Sequence, residues 1–489
     1  MRIRKMSFMM SLVTVLCLLE SAHAAGTMKF CGSWKSMYTD SNMGEDWFTE
    51  TAADGGPIEV DRTAEYTYAE VWRYAGGITW NLVWYGNLDS SGCTSTLTVY
   101  GYSTYIFRYF SKLQRGSGAS ARTIVVLGPN HSTWGDVPMY YDKVIVLAAV
   151  WQNMLPYIVQ AAGPNDVSNI MPLMSRFLNS ADTLAYPTGT TTWIATNPLI
   201  NSGDCSHGGN FYKDYIAGVH RVCLTAVMNR KFVALHEMGH VVAMASDGPK
   251  PTTYDGDDGP YRDTDPDNRC NGVLVSGVTN CTTIAQCPVD AYKCVDGTCR
   301  WDGHVFNSRE YIGAANGEAF GHFISAATLN NRNQSTNNGG FGEYREVPRS
   351  TLEGPGSNWP APFRTNITHD EKWMETECQP GANAFRHLGT EWDWLSFYWN
   401  LWTITPNNLD IDEISVIWGY LSDNYNSACC NGPTCRFSSG GVTCVSPEQL
   451  VQTGKPWNLL QSSVNYQFNI NPVGNNFALR GRNAGIDYF

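Results

Sequence analysis

The chain has 489 residues, of which 43% are apolar and 16% are charged. This length predicts two or three domains, and the composition excludes a largely disordered chain, because the apolar fraction is ample for a packed core. The formal net charge of -12 argues against a nucleic-acid binder and against an anionic membrane surface as the main partner, since phosphate contacts need clustered Lys and Arg.

The first 24 residues have the layout of a secretory signal peptide. A basic start with Arg2, Arg4 and Lys5 precedes an apolar stretch over 6–19, and a small-x-small site ends at Ala24. The apolar stretch is shorter than the about 20 residues that span a membrane. We therefore expect a secreted protein, extracellular or periplasmic, with no membrane insertion of the mature chain.

Cysteine usage agrees with an oxidising compartment. The chain has 15 cysteines, and 14 of them follow the predicted signal peptide. An even number in an exported chain indicates disulfides. Cys31 and Cys93 are the only two in the first hundred residues of the mature chain, so we expect them to pair. Cys205 and Cys223 bracket a short loop, and the connectivity of the others stays open.

Residues 27–118 are predicted to form a small all-β sandwich-like accessory domain. Alternating β-forming residues fill segments 64–72, 78–84 and 95–100, and a turn signal at 89–92 separates the last two. The pattern resembles the small β-sandwich domains that accompany exported peptidases. A purely structural role is the simpler interpretation, and carbohydrate binding is the alternative.

From residue 120 to about 425 the chain is predicted to be an α+β domain. Apolar runs and helical periodicity predict strands at 123–127 and 190–194 and helices at 142–162, 166–178, 221–245, 308–329 and 391–403. An insertion at 247–307, rich in Asp, Gly, Pro and Cys, is expected to be stapled by its cysteines. A Cys-containing irregular segment at 426–489 follows the domain.

The segment HEMGH at 236–240 carries the strongest chemical signal in the chain. His residues at i and i+4 share one helix face, so the imidazoles of His236 and His240 can reach one zinc ion. Glu237 lies one position on and can act as the general base that takes a proton from water. The flanking residues are apolar, as a buried active-site helix requires. We therefore predict a zinc site on this helix.

A catalytic zinc also needs a third protein ligand, and three carboxylates compete for this role. Asp247 follows His240 by seven residues, one more than the spacing that would aim it at the metal. Glu391 lies far along the chain, beside bulky Trp residues. Glu318 is favoured because of the helix that carries it.

The predicted helix at 308–329 has two features that suit a ligand helix. One face carries Tyr311, Ala315, Glu318 and His322. Glycines recur every four residues, and each one inside a helix costs about 1 kcal/mol against Ala. These glycines make most sense if another helix, here the HExxH helix, approaches closely; they are Gly313, Gly317 and Gly321.

The two motifs together resemble the gluzincin branch of the zincin metallopeptidases. HEMGH is followed by a separate helix that contains Glu-Ala-Phe-Gly-His-Phe, and the likeness covers about residues 120–425. The resemblance implies that His236, His240 and Glu318 bind zinc and that Glu237 is the base.

The chain departs from the gluzincin pattern at one position. Several gluzincins carry an acidic residue four positions after the ligand Glu, where it orients a ligand His. This chain has His322 at that position. Its role, as a partner behind the ligands or as an alternative ligand, stays open.

A hydrolytic zinc enzyme also needs a donor to the developing oxyanion. Tyr311, His304 and His387 are candidates, since each lies near a motif helix. An ordinary surface or core position is the alternative for each of them.

An acidic loop supplies candidate ligands for Ca2+, namely Asp263, Asp265 and Asp267. Hard cations prefer clustered carboxylates on a turning backbone. The twelfth position of an EF-type loop that starts at Asp263 is Leu274 rather than Glu. A solvated acidic loop is therefore the alternative.

The sequence thus predicts an exported, disulfide-rich zinc metallopeptidase that acts on a protein or peptide substrate. One alternative is a secreted binding protein or adhesin in which zinc only braces the fold. Glu237 argues against it, because a structural zinc site needs no base. A second alternative is a zinc hydrolase of a non-peptide substrate, which only substrate profiling separates from the first interpretation.

Overall fold

The computed structural model describes part of the chain. The described residues are 25–38, 58–128, 133–135, 138–148, 156–160, 166–184, 186–196, 205, 210–224, 231–246, 274–279, 282, 286, 293–295, 298–300, 310–329, 388–389, 391–403, 409–411, 414–415, 437–439 and 443–445. The predicted signal peptide and most of the insertion and of the last segment lie outside them. They form a mixed α+β fold.

Four α-helices occur in this described part, together with a short 3-10 turn at Gly118–Ser120. They are α1 (Asp166–Asn179), α2 (Lys231–Ser246), α3 (Ile312–Leu329) and α4 (Glu391–Thr403). Helix α2 is apolar on nearly all sides. Every side chain from Ala234 to Ala243 is buried except that of His240, which is partly exposed. Such a helix belongs inside the protein rather than on its surface.

The strands are mostly short, and several carry alternating buried and exposed residues. They are β1 (Ala25–Met28), β2 (Phe30–Tyr38), β3 (Ile58–Thr63), β4 (Thr67–Gly76), β5 (Thr79–Asn87), β6 (Leu97–Tyr100), β7 (Thr104–Arg115), β8 (Arg122–Leu127), β9 (Tyr140–Val146), β10 (Tyr157–Gln160), β11 (Thr191–Ala195), β12 (Asn210–Ile216), β13 (Val219–Leu224), β14 (Leu274–Thr279), β15 (Lys293–Val295), β16 (Thr298–Arg300), β17 (Glu310–Tyr311), β18 (Leu388–Gly389), β19 (Phe437–Ser439) and β20 (Thr443–Val445).

An eight-stranded sheet forms the centre of the described fold. Its order is β12-β13-β11-β8-β7-β4-β5, and β9 also pairs with β7. Strand β11 runs parallel to β8 and β13, and the other pairings are antiparallel. The parallel strand β8 is buried over its last four residues, as the centre of a covered sheet requires. Smaller sheets are β1-β6, β10-β2-β3, β14-β16-β15, β17-β18 and β19-β20.

The strands of residues 27–118, the expected β domain, pair both with one another and with strands beyond residue 118. Strand β7 pairs antiparallel with β8 across the proposed boundary near residue 120, and β2 pairs in parallel with β10. One buried apolar cluster extends from Phe30 on β2 through Phe177 on α1 and Leu235 on α2 to Trp399 on α4. Pairing partners are distant in sequence, so a local alternating pattern could not reveal this continuity.

Two predicted helices need correction. In the segment 142–162, expected to be one helix, the structure instead has β9 and β10, with β9 bonded along β7. The helix expected at 221–245 begins only at Lys231, because residues 221–224 belong to β13. The segment 142–162 contains six Val and Ile residues, which suit a pleated surface. The strand predictions at 123–127 and 190–194 and the helices at 166–178 and 391–403 are confirmed.

Two disulfides join described cysteines. Cys31 is bonded to Cys93, as predicted, and Cys205 is bonded to Cys223. Among the described residues, none of the helices combines the length and the apolar character that a membrane span requires.

Candidate metal centre

Two helices that pack against each other bring together the HExxH residues and Glu318. Helix α3 packs on α2 and on α4, and the pairing of β17 with β18 joins the segments that directly precede α3 and α4. Tyr311 lies on β17, before α3 begins, so it does not share the helical face of Glu318. The contact of α2 with α3 is the part of the fold that positions the candidate ligands.

Three ligand-type atoms converge at this contact. Nε2 of His236 lies 2.9 Å from Oε2 of Glu318 and 3.0 Å from Nε2 of His240. Nε2 of His240 lies 3.4 Å from the same carboxylate oxygen. Within the described part of the chain, these three residues form the group that could hold a metal ion. Glu318 is therefore the predicted third-ligand candidate that the structure brings to both histidines.

The chemistry of this donor set fits a cation. Two atoms bound to one tetrahedral zinc at about 2.1 Å lie about 3.4 Å apart, close to the three distances found here. Nε2 of His236 faces a carboxylate oxygen and a second imidazole nitrogen at once, and a single proton on it can serve only one of them. A cation can accept lone pairs from all three atoms. Nitrogen and oxygen donors of this kind suit zinc and other first-row divalent metals.

Burial prepares His236 for the role of a metal ligand. Its side chain is 7% exposed. The pKa of His236 is lowered to about 3, first by burial and next by the neighbouring His322, although the hydrogen bond to Glu318 opposes the shift. The imidazole is therefore neutral at pH 7, and a neutral imidazole offers the lone pair that metal binding requires.

Glycine permits the close approach of the two helices. A Cβ at Gly239 would lie 2.6 Å from the Cα of Gly321, and a Cβ at Gly321 would lie 3.0 Å from Nδ1 of His236. A Cβ at Gly317, in contrast, would meet nothing within 4 Å. The expected glycine contact is therefore confirmed for Gly321 and not for Gly317.

A second pair of polar side chains lies behind His236. Nδ1 of His322 is 3.1 Å from Nδ1 of His236, and Nε2 of His322 is 2.9 Å from Oε2 of Glu391. Glu391 is only 1% exposed. Its carboxylate thus meets His322, and it is not in the group of three converging residues. From the sequence, Glu391 was a candidate third ligand, and its contact with His322 was not predicted. The sequence around Glu391 indicated only an acidic residue at the start of an apolar helix.

Aromatic packing holds α4 against α3. The Tyr398 hydroxyl donates a hydrogen bond to Oδ1 of Asn316, and its ring stacks edge-on against Phe320. Trp402 makes a similar edge contact with Phe323. These rings fix α4 at a distance from which Glu391 reaches His322.

The candidate base lies within the same buried helix. Glu237 is 5% exposed and directly follows His236 in α2. Its role as the base stays a prediction from the motif.

Several candidates lie outside the described residues: His304, His387, Asp247 and the calcium candidates Asp263, Asp265 and Asp267. The side chain of Tyr311 also lies outside this description. Their roles stay predictions.

Comparisons of the chain with known protein families, with curated proteins and with solved structures find no match.

Proposed function

We propose that this chain is an exported zinc metallopeptidase of the gluzincin type, with a zincin-like catalytic region that includes α2, α3 and α4. The observation that carries the proposal is the convergence of His236, His240 and Glu318 within about hydrogen-bond distance; Glu237 is buried on the same helix as the two histidines. The two disulfides support export, because disulfides persist in oxidising compartments.

In this proposal, His236, His240 and Glu318 hold the ion. Three protein ligands leave one position of a tetrahedral site for water or substrate, which is typical of catalytic rather than structural zinc. Zinc in such a site supplies Lewis-acid chemistry, since it polarises a carbonyl oxygen and lowers the pKa of water to about 7.

Glu237 moves the proton in this proposal. Its carboxylate takes a proton from the attacking water and delivers it to the nitrogen of the leaving amine. The peptide C–N bond breaks as the C–O bond forms, so one water molecule is consumed for each bond that is cleaved.

The variant Glu237→Gln tests this function. We expect the purified variant to retain stoichiometric zinc and to lose casein hydrolysis by about 10²–10⁴-fold, the usual contribution of a general base. The measurements are zinc content by elemental analysis and hydrolysis of casein with and without a chelator. His220→Gln, which removes a buried histidine of β13, is the matched control.

The alternatives give different results in the same experiment. The wild type could bind stoichiometric zinc and yet hydrolyse neither casein nor a peptide library. That result would contradict a peptidase and favour a structural zinc or a non-peptide substrate. Normal turnover in Glu237→Gln would contradict the proposed base.

A further inference from the structure

The buried pair of His322 and Glu391 has no part in the proposed bond cleavage, yet it is bonded directly to a proposed ligand. His322 lies one helical turn beyond Glu318 on α3, and Glu391 is the first residue of α4. The chain of contacts runs from Glu391 to His322 at 2.9 Å and from His322 to His236 at 3.1 Å. Two helices thus cooperate to place a carboxylate behind one imidazole of the metal centre.

The hydrogen bonds determine which ring nitrogens of His236 and His322 are donors and which are acceptors. If Nε2 of His236 gives its lone pair to a metal, the proton of the neutral ring must be on Nδ1. That proton points to Nδ1 of His322, which must then be the acceptor. When His322 carries a single proton, that proton is on Nε2, from which it is donated to the carboxylate of Glu391.

We propose that Glu391 is a positioning residue that acts through His322, and that the pair locks His236 in the tautomer that presents Nε2 to the metal. The inference rests on the proposed metal centre. Ligating histidines commonly donate their second N–H to a carboxylate, which orients the ring and raises its basicity. Here an imidazole is inserted between the ligand and the carboxylate.

With a metal on Nε2 of His236, the opposite assignment of the His322 proton is inconsistent with the contacts. A proton on Nδ1 of His322 would face the proton on Nδ1 of His236 at 3.1 Å, which leaves two donors and no acceptor. The carboxylate at the far end prevents this, because it accepts and cannot donate when ionised. Its place in the first turn of α4 puts it near the positive end of the helix dipole.

Variants at the far end of the chain of contacts test the proposal without changing a ligand. Glu391→Ala removes the acceptor, whereas Glu391→Gln retains an amide oxygen but loses the charge. We expect zinc affinity, measured by competition with a chromophoric chelator, to fall about 10–100-fold in Glu391→Ala and by less in Glu391→Gln. The matched control is Asp393→Asn, a carboxylate of the same helix that is also buried, with unchanged affinity expected.

A second measurement uses the wild type and does not depend on how a variant folds. Long-range 1H–15N correlation spectra of the zinc-loaded protein report which ring nitrogen carries the proton. We expect His322 to be protonated on Nε2 with a lone pair on Nδ1, and His236 to be protonated on Nδ1.

The outcomes separate this inference from the proposed function. Three results would contradict the positioning role of Glu391 and leave the proposed metallopeptidase unaffected. They are equal zinc affinity in wild type, Glu391→Gln and Glu391→Ala, a loss in Asp393→Asn as large as that in Glu391→Ala, and a proton on Nδ1 of His322. A wild-type protein that binds no zinc would contradict both the proposed metal centre and the proposed role of Glu391.

Discussion

Glu318 is the only carboxylate among the three converging side chains, so its loss should matter most for metal binding. We expect Glu318→Ala to lower zinc affinity by more than the about 10–100-fold typical of a partner behind a ligand, because one of three bonds to the ion is removed. Zinc titration of the folded variant measures this. Glu237→Gln, which changes another buried glutamate of the site, should keep full zinc; the reverse pattern would move the ligand role to Glu237.

His220 makes stability depend on pH away from the metal centre. Burial lowers the pKa of His220 from 6.5 to about 4, and Nδ1 of this residue lies 3.0 Å from the Tyr212 hydroxyl. The unfolded chain binds a proton below about pH 6.5, whereas the folded chain does so only below about pH 4. The stability present above pH 6.5 is therefore lost as the pH falls towards 4.

The size of this effect gives a direct test. A shift from 6.5 to about 4 corresponds to about 3 kcal/mol in the free energy of unfolding across that window. Chelator-treated wild type should lose that amount between pH 7 and pH 4 beyond the loss in His220→Gln. The free energies come from denaturant unfolding at each pH, and parallel pH curves for the two proteins would contradict the assignment.

At the scale of helices, Gly321 is the described glycine of α3 that lets α2 approach closely. We expect Gly321→Ala to destabilise the protein by about 1–3 kcal/mol through overpacking and to weaken zinc binding, because the new methyl group would meet His236. Gly317→Ala is the matched control one turn earlier. That site has room for a Cβ, so the variant should gain up to about 1 kcal/mol from helix propensity.

Thermal unfolding and zinc titration of the two glycine variants check this contrast. Equal stability of Gly321→Ala and Gly317→Ala would show that α2 and α3 can separate without cost, and would contradict the packing on which the metal centre depends.

Helices whose sequence pattern fits only a helix were predicted closely. Segments whose apolar pattern also fits a strand were not. Helix α4 begins at Glu391 and ends at Thr403, as its sequence indicates. The segment from Tyr140 to Val146 is apolar enough for a helix, yet it pairs along β7. Its state is decided by a strand more than thirty residues earlier in the chain, which single-sequence periodicity cannot register.

The candidate site shows the same division. The i, i+4 spacing placed His236 and His240 together, because one helix turn is local geometry. Glu318, which was favoured from its helix face and the neighbouring glycines, lies with both histidines, and its role as a ligand stays a prediction. The contact of Glu391 with His322 depends on how α4 docks on α3, which is tertiary information, so the sequence offered Glu391 only as a competing ligand.

At the scale of the whole molecule, the pairing of strands across residue 118 predicts the result of a truncation there. A chain that starts at Gly118 would lack β7, the antiparallel partner of β8, and α1 would lose its contacts with β2 and β7. We expect such a fragment to lack cooperative thermal unfolding and zinc. The control is the chain that begins at Ala25. A folded, zinc-loaded fragment would instead support a separable β domain.

The long sequence separations that build the centre also bear on the order of folding. His236 is 82 residues from Glu318, and His322 is 69 residues from Glu391. Closing such loops is entropically costly and makes folding slow. Helix α2 alone offers two imidazoles, so a complete ligand set exists only after α3 has docked. In the proposed function, the metal ion therefore binds late in folding, to ligands that the docked helices have already brought together.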